Sequence, residues 1–325
     1  MKCARAVLAV AAILGSLSSR AVAQEKIDLK PSFVPGEYRQ TVSTKGQQSR
    51  VVNGEPTRQS ITQEIVQDIV IAPPDADGVK TMTWTFVGVR MTSQTGGMTA
   101  SFDSARAEVG DKELRKMLGP SVGATAVIKL SADGKVIEAK GMDALWDRQA
   151  RDKRDMIDTA AAMKKVFGDA QIKEMVEQTF SQLPGKPVAV GEEWKTATAL
   201  DAPMLGKIAM TTVSKLVKVE QTTAGKRAVI EFAGRAVTDK PQTTTLPTGT
   251  ATISNVKIDT AGRQTVQVDN PMLSEGTMKQ TGSMDMSIGA AAAGQEVVVK
   301  VNFETDTTIK TAKAPAKEGT TEPAK

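Results

Sequence analysis

Hydrophobic and polar residues alternate along most of this chain. From Gln295 to Lys310, Val297, Val299, Val301, Phe303 and Ile309 share one parity, while Glu296, Lys300, Asn302, Glu304 and Asp306 share the other. A period of two sends successive side chains to opposite faces of a strand, so this run predicts one buried face and one wet face. Met82, Trp84 and Phe86 alternate in the same way with Thr81, Thr83 and Thr85, and Ala228, Ile230 and Phe232 with Arg227, Glu231 and Arg235. Turn sequences stand between such runs: Pro73-Pro74-Asp75-Ala76-Asp77-Gly78, Ala132-Asp133-Gly134-Lys135, Thr223-Ala224-Gly225-Lys226 and Thr260-Ala261-Gly262-Arg263. They predict a succession of antiparallel hairpins.

The spacing turns helical between Met142 and Leu183. Ile157, Ala160, Ala161 and Phe167 share one helix face, and Ile172, Met175, Val176, Phe180 and Leu183 share another. Gly168 stops the first of these helices, and Asp169 is placed to cap the second. A shorter helix is expected over Asp111 to Leu118, ending at Gly119-Pro120. The two strand-rich stretches on either side open alike, with Pro35-Gly36-Glu37-Tyr38-Arg39 in one and Gly191-Glu192-Glu193-Trp194-Lys195 in the other. The reading is an α+β fold, a large curved antiparallel β-sheet with a few helices packed on one face. Its halves are either a pseudo-repeat or a chance echo of short motifs. One β-rich globular region is expected over residues 24–311, built from a β half at 31–140, a helical segment at 142–183 and a β half at 186–311. The Ala, Pro, Lys, Glu and Thr of 312–325 have no periodicity and read as a disordered tail.

The N-terminus adds a cellular context. Lys2 and Arg5 precede an apolar run from Ala6 to Leu17, and Ala21-Val22-Ala23 follows as a small-residue cleavage pattern. This is the layout of a signal peptide, with cleavage expected after Ala23 and delivery to the periplasm or the exterior. The apolar run is too short to span a bilayer, for which about 20 residues are needed, so no transmembrane segment is expected. The single cysteine, Cys3, precedes the run and would leave with it, so neither a lipid anchor nor a disulfide is expected.

Composition narrows the chemistry. Of 42 basic residues, Lys2, Arg5 and Arg20 lie in the predicted leader, leaving 39 against 37 acids. That near-neutral balance, with an aromatic content of 3%, lacks the basic face and stacking rings that nucleic acid requires. The chain contains no histidine, which removes the commonest general base and metal ligand. Gly119-Pro120-Ser121-Val122-Gly123 matches the spacing of a hydrolase nucleophile turn, but no histidine can activate Ser121, and a helix precedes it where a strand belongs. Ser254-Asn255-Val256-Lys257 matches a Ser-x-x-Lys pair, yet it sits in a predicted strand, where residues three apart face opposite ways. Asp75-Ala76-Asp77-Gly78 begins like a calcium loop, but Phe86 stands where the bidentate glutamate belongs. Glu192 and Glu193 are neighbours on a predicted strand and diverge, which weighs against a carboxylate pair. No catalytic residue, cofactor or metal ligand is assigned.

Fourteen methionines lie beyond Met1. Flexible thioethers either fill a core that is poor in aromatics or line an adaptable apolar pocket, for which Met156, Met163, Met175, Phe180 and Trp84 are the candidates. Three segments taken together resemble an uncharacterised family of exported bacterial proteins, classed only as a domain of unknown function. They are Phe102-Asp103-Ser104, Leu118-Gly119 followed by Ala132-Asp133-Gly134-Lys135-Val136, and Leu183-Pro184 followed by Val190-Gly191-Glu192-Glu193-Trp194. That family supplies no catalytic residues. The expected architecture is also similar to that of periplasmic lipoprotein carriers, which cradle acyl chains between sheet and helices. The function expected is therefore a non-enzymatic envelope protein that binds a lipophilic ligand or a partner protein. The alternatives are an interaction module with no small-molecule ligand and, behind it, a carboxylate-dependent glycan hydrolase.

Overall fold

The computed structural model describes residues 25–52, 54–202, 206–238, 241–246, 249–290 and 296–315. The predicted leader, residues 1–23, lies outside them. The chain begins with β1 (Lys26–Ile27), β2 (Gly36–Val52), β3 (Glu55–Ile71), β4 (Lys80–Thr95) and β5 (Met98–Asp103). Helix α1 (Lys112–Leu118) and the hairpin β6 (Thr125–Leu130) and β7 (Val136–Lys140) follow. Three helices come next, α2 (Met142–Asp152), α3 (Ile157–Phe167) and α4 (Asp169–Ser181). The second strand-rich stretch comprises β8 (Val188–Ala189), β9 (Glu193–Ala202), β10 (Gly206–Thr222), β11 (Gly225–Val237), β12 (Gln242–Leu246), β13 (Gly249–Gln267), β14 (Asn270–Ala290) and β15 (Glu296–Lys313).

Thirteen strands form one antiparallel sheet in the order β7-β6-β4-β3-β2-β15-β14-β13-β11-β10-β9, with β5 beside β4 and β12 beside β13. Among the described residues the sheet stays open, with β7 and β9 at its two ends. The chain crosses it in one direction twice. It starts in the middle at β2 and steps outward to β7, then re-enters at the far end with β9 and steps back until β15 lies against β2. That last pairing runs from Val299↔Val52 to Lys313↔Tyr38. Across it Gln40 Nε2 donates to Thr311 Oγ1 at 3.0 Å, the hydroxyls of Thr44 and Thr307 lie 3.2 Å apart, and the Lys313 ammonium sits 4.6 Å from the centre of the Tyr38 ring. The tail predicted from Ala312 therefore begins later, because Ala312 and Lys313 are paired in the sheet and Ala314 N donates to Glu37 O.

Alternation produces the core as expected. In β4 Met82, Trp84 and Phe86 are buried, and they join Tyr38, Ile69, Ile71, Ile128 and Leu130 under the helices. Helix α2 contributes Met142, Leu145 and Trp146, a one-turn apolar stripe, and the Trp146 indole N–H donates to Phe167 O. Helix α4 buries Ile172 and Val176. A second cluster lies under the other half, with Trp194, Leu216, Ile230 and Val266 around Ile27 and Leu29. Residues 25–35 connect the two clusters, since Ile27 and Leu29 belong to the second and Phe33 to the first.

Three sequence expectations change. Thr260 to Arg263 is not a turn but the middle of β13, where Gly262 leaves room for the Phe232 ring laid across it. Ile157 is 51% exposed, because the buried face of α3 runs through Ala160, Met163 and Phe167. Asp169 does not cap its own helix: its carboxylate accepts from Met142 N and Asp143 N at the start of α2, while Asp143 accepts from Asp169 N. Two helix N-termini thus exchange carboxylates, each satisfying free N–H groups and the positive end of the other's dipole.

The Gly191–Trp194 stretch is a structural joint. Trp194 is buried beside Leu216, and its indole N–H donates to Gln182 O at 2.9 Å. Glu193 reaches Lys215 across the strand pair. Glu192 precedes the strand, and its carboxylate accepts from Ala189 N and from Lys186, both at 3.1 Å. These two donors, the backbone N–H first, hold the carboxyl below its ordinary value of 4.5. Trp194→Ala should therefore cost about 3–5 kcal/mol in urea denaturation, against less than about 0.5 kcal/mol for Glu193→Gln. Because the Glu192 pKa is lowered on folding, its contribution is present above pH 4.5 and lost as pH falls through the folded value. Glu192→Gln should flatten that part of the stability profile; an unchanged profile would remove the joint described for Glu192.

Candidate functional site

The face of the sheet that carries the core is only partly covered. The helices pack chiefly on β6 and β7. Further along the same face, rows of side chains run across the strands with no helix packed over them among the described residues. One row is Phe232–Gly262–Met278–Thr307–Thr44–Gln63–Met91, crossing from β11 to β4. The next toward the helices contains Ile230, Ile309, Val42 and Ile65. The next away from them is Gly234–Thr260–Gln280–Thr305–Gly46–Ile61–Ser93, and the one beyond it contains Ile258, Gly282 and Phe303. Phe232 and Phe303 are half-buried and lie across Gly262 and Gly282, which have no side chain to lift the rings off the sheet. The result is a low floor of aromatic, aliphatic and thioether groups, crossed between Phe232 and Phe303 by a row of threonine, glutamine and serine side chains. Met278, Met284 and Met286 are half-buried within it.

On the core face, some buried polar atoms lack partners among the described residues. The Trp84 indole N–H and Gln67 Oε1 have none, although Trp84 is 8% exposed and Gln67 5% exposed. Both point from strands of the core face, Trp84 stacked on Phe86 with ring centres 5.8 Å apart. A buried N–H or C=O without a partner carries an energetic cost of about 1–3 kcal/mol, and a free donor and a free acceptor can satisfy polar groups of a ligand.

The structure distributes the predicted pocket residues unevenly. Trp84 and Met163 meet in the cluster under the helices, and Met156 is buried at the start of α3. Met175 is 40% exposed, because the apolar stripe of α4 follows Ile172 and Val176 and Met175 lies about 100° round the helix from Val176. The Phe180 side chain lies outside the described residues. Sequence reading singled out neither Gln67 nor the phenylalanine–glycine pairs. Pairing across strands creates both features, and a single strand does not reveal its partners.

The other sequence motifs resolve as local structure. Asp75 Oδ1 accepts from Asp77 N and Val79 N, closing the turn between β3 and β4. Ser121 donates to Leu118 O and ends α1. Ser254 and Lys257 do not face opposite ways: a bulge with Asn255 at φ 55° puts them opposite Asp285 and Ser283 on one face, with no hydrogen bond between them among the described residues. Among the described residues no three ligating side chains gather into a metal cluster, and no helix is long and apolar enough to cross a membrane.

An open antiparallel sheet with a helical cover over one end of its core face defines the class. The chain belongs to a family of unknown function (DUF6263), whose model matches residues 77–289. No curated protein sequence matches it. Among solved structures it is similar to one describing lipid–protein interactions in lipovitellin, at 10% identity and a TM-score of 0.44, over 89% of this chain but 26% of that one. It is also similar to an outer-membrane channel from Pseudomonas putida F1, at 6% identity and a TM-score of 0.23 over 88% of this chain and 98% of that one. An outer-membrane protease from Escherichia coli gives 9% identity and a TM-score of 0.20, over 86% and 98%. The chain thus spans about a quarter of the lipovitellin chain that it matches.

If Gln67 Oε1 is unpaired, Gln67→Met, which keeps the length of the side chain and removes the polar atoms, should leave stability unchanged or raise it by up to about 1 kcal/mol in urea denaturation. A loss of more than about 1 kcal/mol would mean that Gln67 is already paired within the protein.

Proposed function

We propose that the protein is a non-enzymatic binding protein, exported with cleavage after Ala23, that holds an elongated lipophilic ligand on the uncovered part of the core face. The observation that carries this reading is the floor built from Phe232, Phe303 and the half-buried methionines, with no helix packed over it among the described residues. Apolar area held at a water boundary gains about 25 cal/mol per Å² when a ligand covers it, and thioethers adapt to a chain of variable shape. The unpartnered Trp84 N–H and Gln67 Oε1 support a ligand with one polar end. In this reading Trp84 and Gln67 would supply the polar contacts to the ligand.

A partner protein laid on the same face would also cover it, and one experiment separates the two readings. Native mass spectrometry of protein purified from its own host should show a polypeptide beginning at Gln24 carrying a lipid-sized adduct. The Phe232→Ser/Phe303→Ser double variant should lose most of that adduct, whereas the Glu193→Gln control should keep it. A chain that never carries an adduct, or a double variant that retains it in full, would contradict the lipophilic reading. A retained leader or a diacylglyceryl mass would contradict the proposed processing.

A further inference from the structure

The face opposite the core carries an open trough of about 950 Å³, lined mostly by polar and charged residues, with Phe303, Gly96, Gly97 and Gly282 among them. Its axis is a single cross-strand row, Lys257–Ser283–Asn302–Ser49–Arg58, contributed by β13, β14, β15, β2 and β3. Neighbouring strands lie about 4.8 Å apart, so the backbone positions of the two basic residues lie about 19 Å apart across the row. Between them are only hydroxyl and amide side chains.

The charge in the trough is less balanced than its composition implies. Asp259 and Glu304 occupy the adjacent row, but Asp259 is held by Arg235 at 2.7 Å and Glu304 by Lys279. The partners register this pairing: Arg235 and Lys279 are both raised above their ordinary pKa values, each first by its hydrogen bond to the acid. On the row beyond, Asp285 accepts from Asn255 at 2.8 Å and stands opposite Lys300. Arg58 and Lys257 have no ion-pair or hydrogen-bond partner among the described residues. Two free cations therefore frame a strip of groups that both donate and accept hydrogen bonds.

We infer that this trough binds an acidic oligosaccharide, a chain of sugar units bearing carboxylate, sulfate or phosphate groups. Ser49, Ser283 and Asn302 match the hydroxyls of a sugar chain, and Arg58 and Lys257 match its charges through charge-assisted hydrogen bonds. A nucleic-acid strand would need several rings to stack its bases, and the lining holds a single aromatic residue, Phe303, whose ring is laid across Gly282. The inference is independent of the lipophilic reading, since it uses the opposite face of the sheet and different side chains.

The test is isothermal titration calorimetry of the full chain at low salt with three probes: tetragalacturonate, neutral maltotetraose and oligothymidylate. Tetragalacturonate should bind, weaken as salt is raised, and weaken at least tenfold with the Arg58→Gln/Lys257→Gln double variant, whose fold is checked by circular dichroism. Lys195→Gln, which lies on β9 away from the trough, should leave binding unchanged. The inference is overturned if tetragalacturonate fails to bind or if maltotetraose binds as tightly. Tighter binding of oligothymidylate, or an unaltered affinity in a folded double variant, would overturn it equally.

Discussion

The pairing of β15 with β2 is the constraint on which the rest of this molecule depends. Each half of the sheet is locally connected, most strands pairing with the next in sequence and β4–β6 and β11–β13 bridged by inserts that hold β5 and α1 or β12, so loop closure within a half is modest. The seam instead joins residues near the two ends of the described chain, Lys313 to Tyr38 and Val299 to Val52. Such a contact bears the full entropic cost of closing a long loop, and it is offset here by continuous backbone pairing, the Thr44–Thr307 and Gln40–Thr311 bonds and the Lys313–Tyr38 contact. Without the seam there would be two smaller sheets, each with an additional exposed edge prone to pairing with other chains.

Both candidate surfaces exist only because that seam holds. The apolar floor reads across it, from Phe232 in β11 to Met91 in β4, and so does the polar row from Lys257 to Arg58. One face of the sheet is therefore apolar and the other polar over the same strands, a direct outcome of period two. The match to the family of unknown function covers residues 77–289, from the turn before β4 into β14, so Arg58, Ser49 and Asn302 lie beyond its bounds.

Much of this was legible in the sequence, for a physical reason. Alternation in β4, β11 and β15, the switch to helical spacing after Met142 and the turn at Asp75–Gly78 are local patterns, and local patterns survive into the fold. What was hidden depends on partners distant in the chain. Gly262 looked like a turn residue until Phe232, 30 positions earlier, proved to need its missing side chain. Asp169 read as a cap for its own helix, but packing brought α2 to it. The bulge at Asn255 brought Ser254 and Lys257 to one face, contrary to plain strand parity. Trp146, among the largest buried side chains, carried no signal beyond a short stripe with Met142 and Leu145. The candidate sites were the least legible, because each is a row across strands and a row has no sequence spacing.

Hydrogen exchange of backbone amides, read by mass spectrometry or NMR, tests the central claim most directly. If the seam unites the two halves into one sheet, amides in the middle of β2 and β15 should be protected to the same degree as those of β3 and β14 and should open with them in a single cooperative step. Exchange in β2 and β15 that is fast while β3 and β14 remain protected would show two independent sheets meeting at a weak edge. It would also dismantle both surfaces that cross the seam.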